Sequence, residues 1–191
     1  MFKQIILMLV AAIFTVLFGC ARDLQVSEVL QQPLGSKLYT KCNLWYQNPD
    51  DISCKNIQNG KFIPFGTPIE VTTANQYRLI FKDTQGIEYR INYDRQLMME
   101  PMQSFMRQII SIQDKNELIK GIAPEVVSKI EKGIVTPGMT RKEVLLAYGK
   151  PPVFRTPTLD NSTWIYWIDE ASTIRVVFRA DKVKVILNIN D

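Results

Sequence analysis

The hydrophobic period of this chain changes along its length, and that change limits the fold more than any other feature. Tyr77, Leu79 and Phe81 alternate with Arg78 and Lys82; after a turn at Asp83 to Gly86, Ile87, Tyr89, Ile91 and Tyr93 alternate with Glu88, Arg90 and Asn92. Period two turns one apolar face of an antiparallel sheet inward. Between Arg95 and Lys132 the spacing becomes three and four: Met102, Phe105, Met106, Ile109 and Ile110 make a helical stripe that begins after Pro101. Strand-like runs return at Trp164 to Ile168, Ile174 to Phe178 and Val183 to Ile189. Sheet, helices and a second sheet in that order predict the α+β class.

The first residues bear on the compartment. Lys3 precedes an apolar run from Ile5 to Phe18, and Leu17-Phe18-Gly19-Cys20 places a small residue directly before a cysteine. The run is short for a bilayer span and no polar anchor follows it, so it reads as a secretory signal. The tetrapeptide resembles a bacterial lipobox. That resemblance implies cleavage after Gly19, a signal peptide over 1–19, and a mature lipoprotein whose Cys20 carries acyl chains of the palmitate type. Ala21 is not the Asp of an inner-membrane retention signal, which points to the outer membrane and a periplasm-facing protein. Residues 20–36 are polar, include Pro33 and Gly35 and have no sustained period, so a tether is expected there.

Composition excludes several chemistries. The 191 residues carry a net charge of +4 and contain no histidine, which removes His-based acid–base catalysis, Ser-His-Asp triads and ordinary zinc sites. No metal or cofactor is expected. The adjacent acids Asp50-Asp51 and Asp169-Glu170 fall at turns, and neighbours on a strand point to opposite faces, so neither pair converges on a substrate. Lys182, Lys184, Arg175 and Arg179 alternate with Val and Ile, which reads as a solvated strand face and no nucleic-acid site. With Cys20 acylated, Cys42 and Cys54 remain. In an oxidising compartment they form a candidate disulfide, worth about 3 kcal/mol in the chain-entropy model; separate buried thiols are the other reading.

Residues 37–94 read as short strands broken by turns. Leu38 to Tyr46 is strand-like, Asn48 to Asp51 turns, and Asn59-Gly60 is a hairpin signal. Pro64 and Pro68 suggest an edge strand or a crossing loop. This arrangement, with the run Ile63 to Val71, is similar to bacterial SH3-like domains and implies a small curled barrel. Trp45, Tyr46, Phe62 and Phe65 could line a ligand groove on it, or could fill its core. Residues 95–122 are expected as a linking helix.

In the last third, Thr140 and Glu143 form a capping box, Val144, Leu145 and Tyr148 face one side of the helix, and Gly149 with Pro151-Pro152 ends it. A helix from Pro124 to Lys132 precedes it, with Gly133 as its stop. Gly138-Met139-Thr140, Glu143-Val144, Gly149, Pro151, Trp164, Tyr166, Val177-Phe178 and Val183 together resemble the BamE/SmpA-type domain of small envelope lipoproteins, over Ile130 to Asp191. The resemblance implies a domain over 123–191 with two helices on a three-stranded antiparallel sheet, Trp164 and Phe178 filling the interface between them, and a role as an accessory of outer-membrane protein assembly.

The segment Arg155 to Asn161 and the strand after it are the candidate partner-binding residues: Arg155, Thr156, Thr158, Asp160, Asn161, Trp164 and Tyr166. Arginine, hydroxyls and aromatics suit a grip on another chain; the other reading is a Pro-Thr connection whose hydroxyls satisfy its own backbone. The function expected is a non-catalytic, lipid-anchored envelope protein that binds protein partners at the outer membrane. The alternative is a module that binds peptidoglycan or a secretion-system component through the SH3-like domain.

Overall fold

The computed structural model describes residues 23–190. The segment 1–19 and Cys20 lie outside the described residues. Among those described, no helix is long and apolar enough to cross a membrane.

The class is mixed α+β. The first part of the chain forms β1 (Leu38–Thr40), β2 (Leu44–Tyr46), β3 (Ile52–Ser53), β4 (Lys61–Ile63), β5 (Pro68–Ala74), β6 (Arg78–Asp83) and β7 (Glu88–Asn92). With β8 (Ile110–Ser111) these make a curled six-stranded sheet ordered β3-β7-β6-β5-β1-β8, while β2 and β4 pair separately. All pairings are antiparallel except β3 with β7. The alternating run behaves as its period requires: Leu79, Phe81, Tyr89 and Ile91 are buried and Lys82 and Asn92 are exposed. Pro68 opens a central strand, where a first residue needs no ladder donor. Asn59-Gly60 does not close a two-residue hairpin, because β3 lies between β2 and β4. Glycine is required at Gly60 because a Cβ would stand 2.5 Å from the Tyr46 carbonyl oxygen.

Two expected boundaries are corrected. The segment read as a tether is docked from Leu24 onward: the Leu24 N–H donates to the Ala74 carbonyl at 2.7 Å, and α1 (Val26–Leu30) buries Val29 in the core. Leu24, Val26, Val29 and Leu30 supply the apolar contacts a free spacer would lack. The segment 95–122 is not one linking helix. It holds α2 (Arg95–Met98), α3 (Met102–Ile109), β8 and α4 (Lys115–Leu118). Asp94 caps α2 by accepting from the Gln96 and Leu97 N–H groups, and Pro101 restarts the chain as the N-cap of α3. The stripe Met102, Phe105, Met106 and Ile109 is core of the first unit; Ile110 turns extended and pairs opposite Thr40.

The last part comprises α5 (Pro124–Ile130), α6 (Arg141–Tyr148), β9 (Thr163–Trp167), β10 (Ser172–Arg179) and β11 (Lys182–Asn190), with sheet order β11-β10-β9. The capping box is present: Thr140 Oγ1 accepts from the Glu143 N–H at 3.3 Å, and Glu143 Oε2 accepts from the Thr140 N–H at 2.7 Å. Helices α5 and α6 cover one face of the sheet around Trp164, Tyr166, Val176 and Phe178.

Candidate functional site

The surfaces available to a partner follow from how the two parts are joined. A helix leaves its last carbonyls without intrahelical partners, and those of α6 are satisfied from the first part of the chain. The Asn43 N–H donates to Leu146 O at 2.9 Å, and its Nδ2 donates to Ala147 O at 3.1 Å and to Ile130 O at 2.8 Å. Asn43 Oδ1 accepts from the Phe65 N–H at 2.9 Å. Asn56 Nδ2 donates to Tyr148 O at 2.6 Å and to Lys150 O at 2.9 Å, and Gln58 Nε2 reaches Tyr148 O at 3.1 Å. An ion pair of Lys150 with Glu100, at 3.3 Å, adds to the seam. The sequence reading missed Asn43, Asn56 and Gln58. Asn43 lies just before β2, and Asn56 and Gln58 lie in the loop between β3 and β4; an amide side chain at such a place is ordinary in sequence, and nothing local names its partner.

The proposed loop grip is corrected in part. Trp164 and Tyr166 are fully buried and Thr156 is 1% exposed, so none of the three can meet a partner. They fill the space between sheet and helices: Trp164 lies 4.6 Å from Phe178, and the Tyr166 hydroxyl donates to Gly149 O at 2.9 Å. Burial holds the Tyr166 hydroxyl pKa well above its usual value. Thr156 Oγ1 accepts from the Ile165 N–H at 3.0 Å, and Thr158 Oγ1 donates to Asn161 Oδ1 at 3.0 Å. Arg141 lies over Trp164 and Phe178 and donates to the carbonyls of Leu159 and Asn161. Arg155 stacks on Trp167 at 4.5 Å. Arg155, Thr158, Asp160 and Asn161 remain exposed, on a loop tied down by its own side chains and Arg141.

The four aromatics of the alternative groove are divided. Trp45 packs against Phe62 with the rings tilted and their centroids 4.8 Å apart, and donates from Nε1 to Ala147 O at 3.4 Å, against Gly133 and Tyr148 in the seam. Phe65 is buried in the second core. Tyr46, Phe62 and Phe65 nonetheless border a shallow depression of about 520 Å³ together with Asp83, Tyr89 and Lys115. There the Tyr89 hydroxyl donates to Asp83 Oδ2 at 3.1 Å, and burial, followed by that carboxylate, pushes its pKa up.

Cys42 and Cys54 are separate buried thiols, which corrects the expected disulfide. Both border one small cavity, but Cys42 is turned to Gly149, where a Cβ would lie 3.2 Å from its sulfur, and Cys54 lies beside the Asp94 backbone. Burial pushes the Cys42 thiol up to about 12 and raises that of Cys54. Among the described residues no three His, Cys, Asp or Glu side chains are grouped to hold a metal ion. Asp169 accepts from the Ala171 N–H within its own turn, and Asp51 accepts from Asn92 Nδ2 at the end of β7.

One surface stands apart from these internally satisfied features. Helices α5 and α6 pack on one face of the C-terminal sheet, and its outer face brings Ile165, Arg175 and Leu187 abreast, with Thr163, Val177 and Val185 on one side and Trp167, Thr173 and Ile189 on the other. Leu187 is 42% exposed. Trp167 Nε1, Thr173 Oγ1 and Arg175 Nε are buried without a hydrogen-bond partner among the described residues. Thr173 is 2% exposed and Arg155 lies over Trp167, so the Trp167 end of this face is covered and its open part lies toward Ile165, Val185 and Leu187. The outer edge of β11 is bridged by Met139 and Thr140 at Lys182 and Val183; beyond Val183 no strand lies beside it among the described residues. No family model, curated protein or solved structure matches this chain.

Proposed function

We propose that this chain is a non-catalytic lipoprotein, anchored through Cys20 to the outer membrane and facing the periplasm, that binds protein partners as an accessory of outer-membrane protein assembly. On this reading its first unit is SH3-like and its second BamE/SmpA-like, and the partner docks on the outer face and free edge of β9–β11. The observation that carries it is that sheet: one face packed by helices, the other apolar, with Arg175 at its centre and an edge strand open to main-chain pairing. The open part of that face, around Ile165, Val177, Val185 and Leu187, is apolar and half-buried to exposed, as a face that docks another chain requires. Tethering to a membrane raises the local concentration of such a surface for its partner.

The test is photo-cross-linking in native membranes from probes at Leu187 and Ile165, with Thr158 as a loop control. Adducts with barrel-assembly proteins from Leu187 and Ile165, and none from Thr158, support the reading; adducts from Thr158 alone overturn the docking surface.

A second reading is supported by the depression bordered by Tyr46, Phe62, Phe65, Asp83, Tyr89 and Lys115. Aromatic walls with a carboxylate and an ammonium group suit a peptidoglycan peptide or glycan. Co-sedimentation with purified peptidoglycan that is lost in Tyr46→Ala, with an unchanged circular dichroism spectrum, would favour it. Trp45 is unsuited to that test because it belongs to the seam.

A further inference from the structure

The anchor leaves little freedom for how the molecule sits. From Leu24 onward the chain is fixed to the sheet by its bond to Ala74 and by the burial of Val29. Three residues lie between Cys20 and Leu24, so four residue steps join them, and whatever the conformation these reach at most about 14 Å. An acylated Cys20 lies with its chains in the bilayer, so the surface around Leu24 is held within that distance of the headgroups. A free tether over 20–36 would have imposed no such limit.

The surface around that exit is unusual in its side chains. Among the described residues the three most exposed large apolar side chains are Leu34 at 84%, Met99 at 69% and Tyr77 at 63%. Leu34 borders the same groove as Asp23 and Leu24, between α1, the turn at residues 32–36 and the end of β5. Tyr77 sits on the β5–β6 turn, three residues beyond Ala74, and its carbonyl accepts from the Tyr93 N–H at 2.8 Å. The Tyr93 hydroxyl donates to the carbonyl of Glu100, next to Met99. Lys37 and Arg78, neighbours of this rim, are exposed and have no ion pair among the described residues. Single exposed apolar residues are ordinary; a leucine and a tyrosine flanking the point where the chain leaves toward a lipid anchor, with cations beside them, fit an interface that is apolar below and anionic at its surface.

We infer that the face around Leu24, rimmed by Leu34 and Tyr77 with Lys37 and Arg78, lies against the headgroup layer of the anchoring membrane and so fixes which surfaces of the protein point into the periplasm. The inference rests on the reading of Cys20 as acylated. Its test uses the acylated full chain in vesicles of phosphatidylethanolamine and phosphatidylglycerol that contain a headgroup-spin-labelled lipid. Leu34→Cys, Tyr77→Cys and, as the distal control, Leu187→Cys are each labelled with bimane; Cys42 and Cys54 are buried and stay unlabelled. Quenching several-fold stronger at Leu34 and Tyr77 than at Leu187 is the expected result. Equal quenching at all three, with flotation on the vesicles that Cys20→Ser abolishes, overturns the seat and leaves the anchor standing. Flotation that survives Cys20→Ser overturns the reading of Cys20 itself.

Discussion

Asn43 is the residue on which the two parts of the molecule meet. Its amide makes three hydrogen bonds with no exposed surface, to Ile130 O, Ala147 O and the Phe65 N–H. Removing one partner of a buried hydrogen bond leaves the other desolvated, at about 1–3 kcal/mol each and less than additively. Asn43→Ala is therefore expected to lower stability by about 3 kcal/mol in urea titration, and Asn43→Asp by more, because its charge would face two carbonyls. Cys42 supplies a pH test. Its thiol is raised from 9.0 to about 12 by burial, so the folded protein holds a proton that the unfolded chain has lost above pH 9. The unfolded state then binds fewer protons and stability falls as pH rises, by about 1.4 kcal/mol per pH unit between the two values. That contribution is fully present below pH 9 and gone above pH 12. Other buried hydroxyls add to the same trend, so Cys42 is isolated by comparison: the Cys42→Ala variant should show a shallower alkaline decline than the parent, whereas parallel declines would mean the thiol is not buried as described.

Helix α5 shows how an element can be legible in its limits and illegible in its surroundings. Gly133 ends it with φ at +64°, and the Ile134 N–H closes back on Lys129 O at 2.9 Å. The stop was readable because it is local; the ring of Trp45, which a Cβ at Gly133 would meet at 2.6 Å, was not. Gly121 is also left-handed, at +81°, but has open space around it. Gly121→Ala is thus expected to cost only the backbone strain, about 1 kcal/mol, and Gly133→Ala about 2–3 kcal/mol more from the clash. Equal losses in thermal or urea unfolding would mean that Trp45 does not pack there. The same division runs through the rest of the chain. Period two, the capping box and the strand runs depend on neighbours in sequence and were legible. The parallel pairing of β3 with β7, the docking of residues 24–30 and the amide contacts to α6 depend on residues far apart, and were not. At β9 the sequence Thr163-Trp164-Ile165-Tyr166-Trp167 is apolar at nearly every position, so alternation could not say which face was inward. The sequence therefore admits Tyr166 as a partner residue, and Trp164 either as a partner residue or as filler between sheet and helices; both are core, and only the filler reading of Trp164 holds.

At the scale of the whole molecule, the seam makes two units with separate cores depend on one another. The last carbonyls of α6 receive their donors from Asn43, Trp45, Asn56 and Gln58, and Glu100 pairs with Lys150 across the same boundary. If the first unit opened alone, those carbonyls would lose their partners and Trp45 and Phe62 would leave Gly133 bare, so the second unit would lose stability in the same event. Unfolding is therefore expected to be a single cooperative transition. Two probes report on different sides of the seam: the thiols of Cys42 and Cys54 belong to the first core, while Trp164 lies in the second. Emission of a Trp45→Phe variant, which keeps only Trp164 and Trp167, and pulse-labelling of the two thiols in the same protein, followed through one urea titration, should give the same midpoint. A lower midpoint for the thiols would show the first unit opening independently. In that case a membrane seat at Leu24 could not orient the distal sheet. With coincident midpoints, the orientation set at the anchor carries through the seam to β9–β11, where the proposed partner docks.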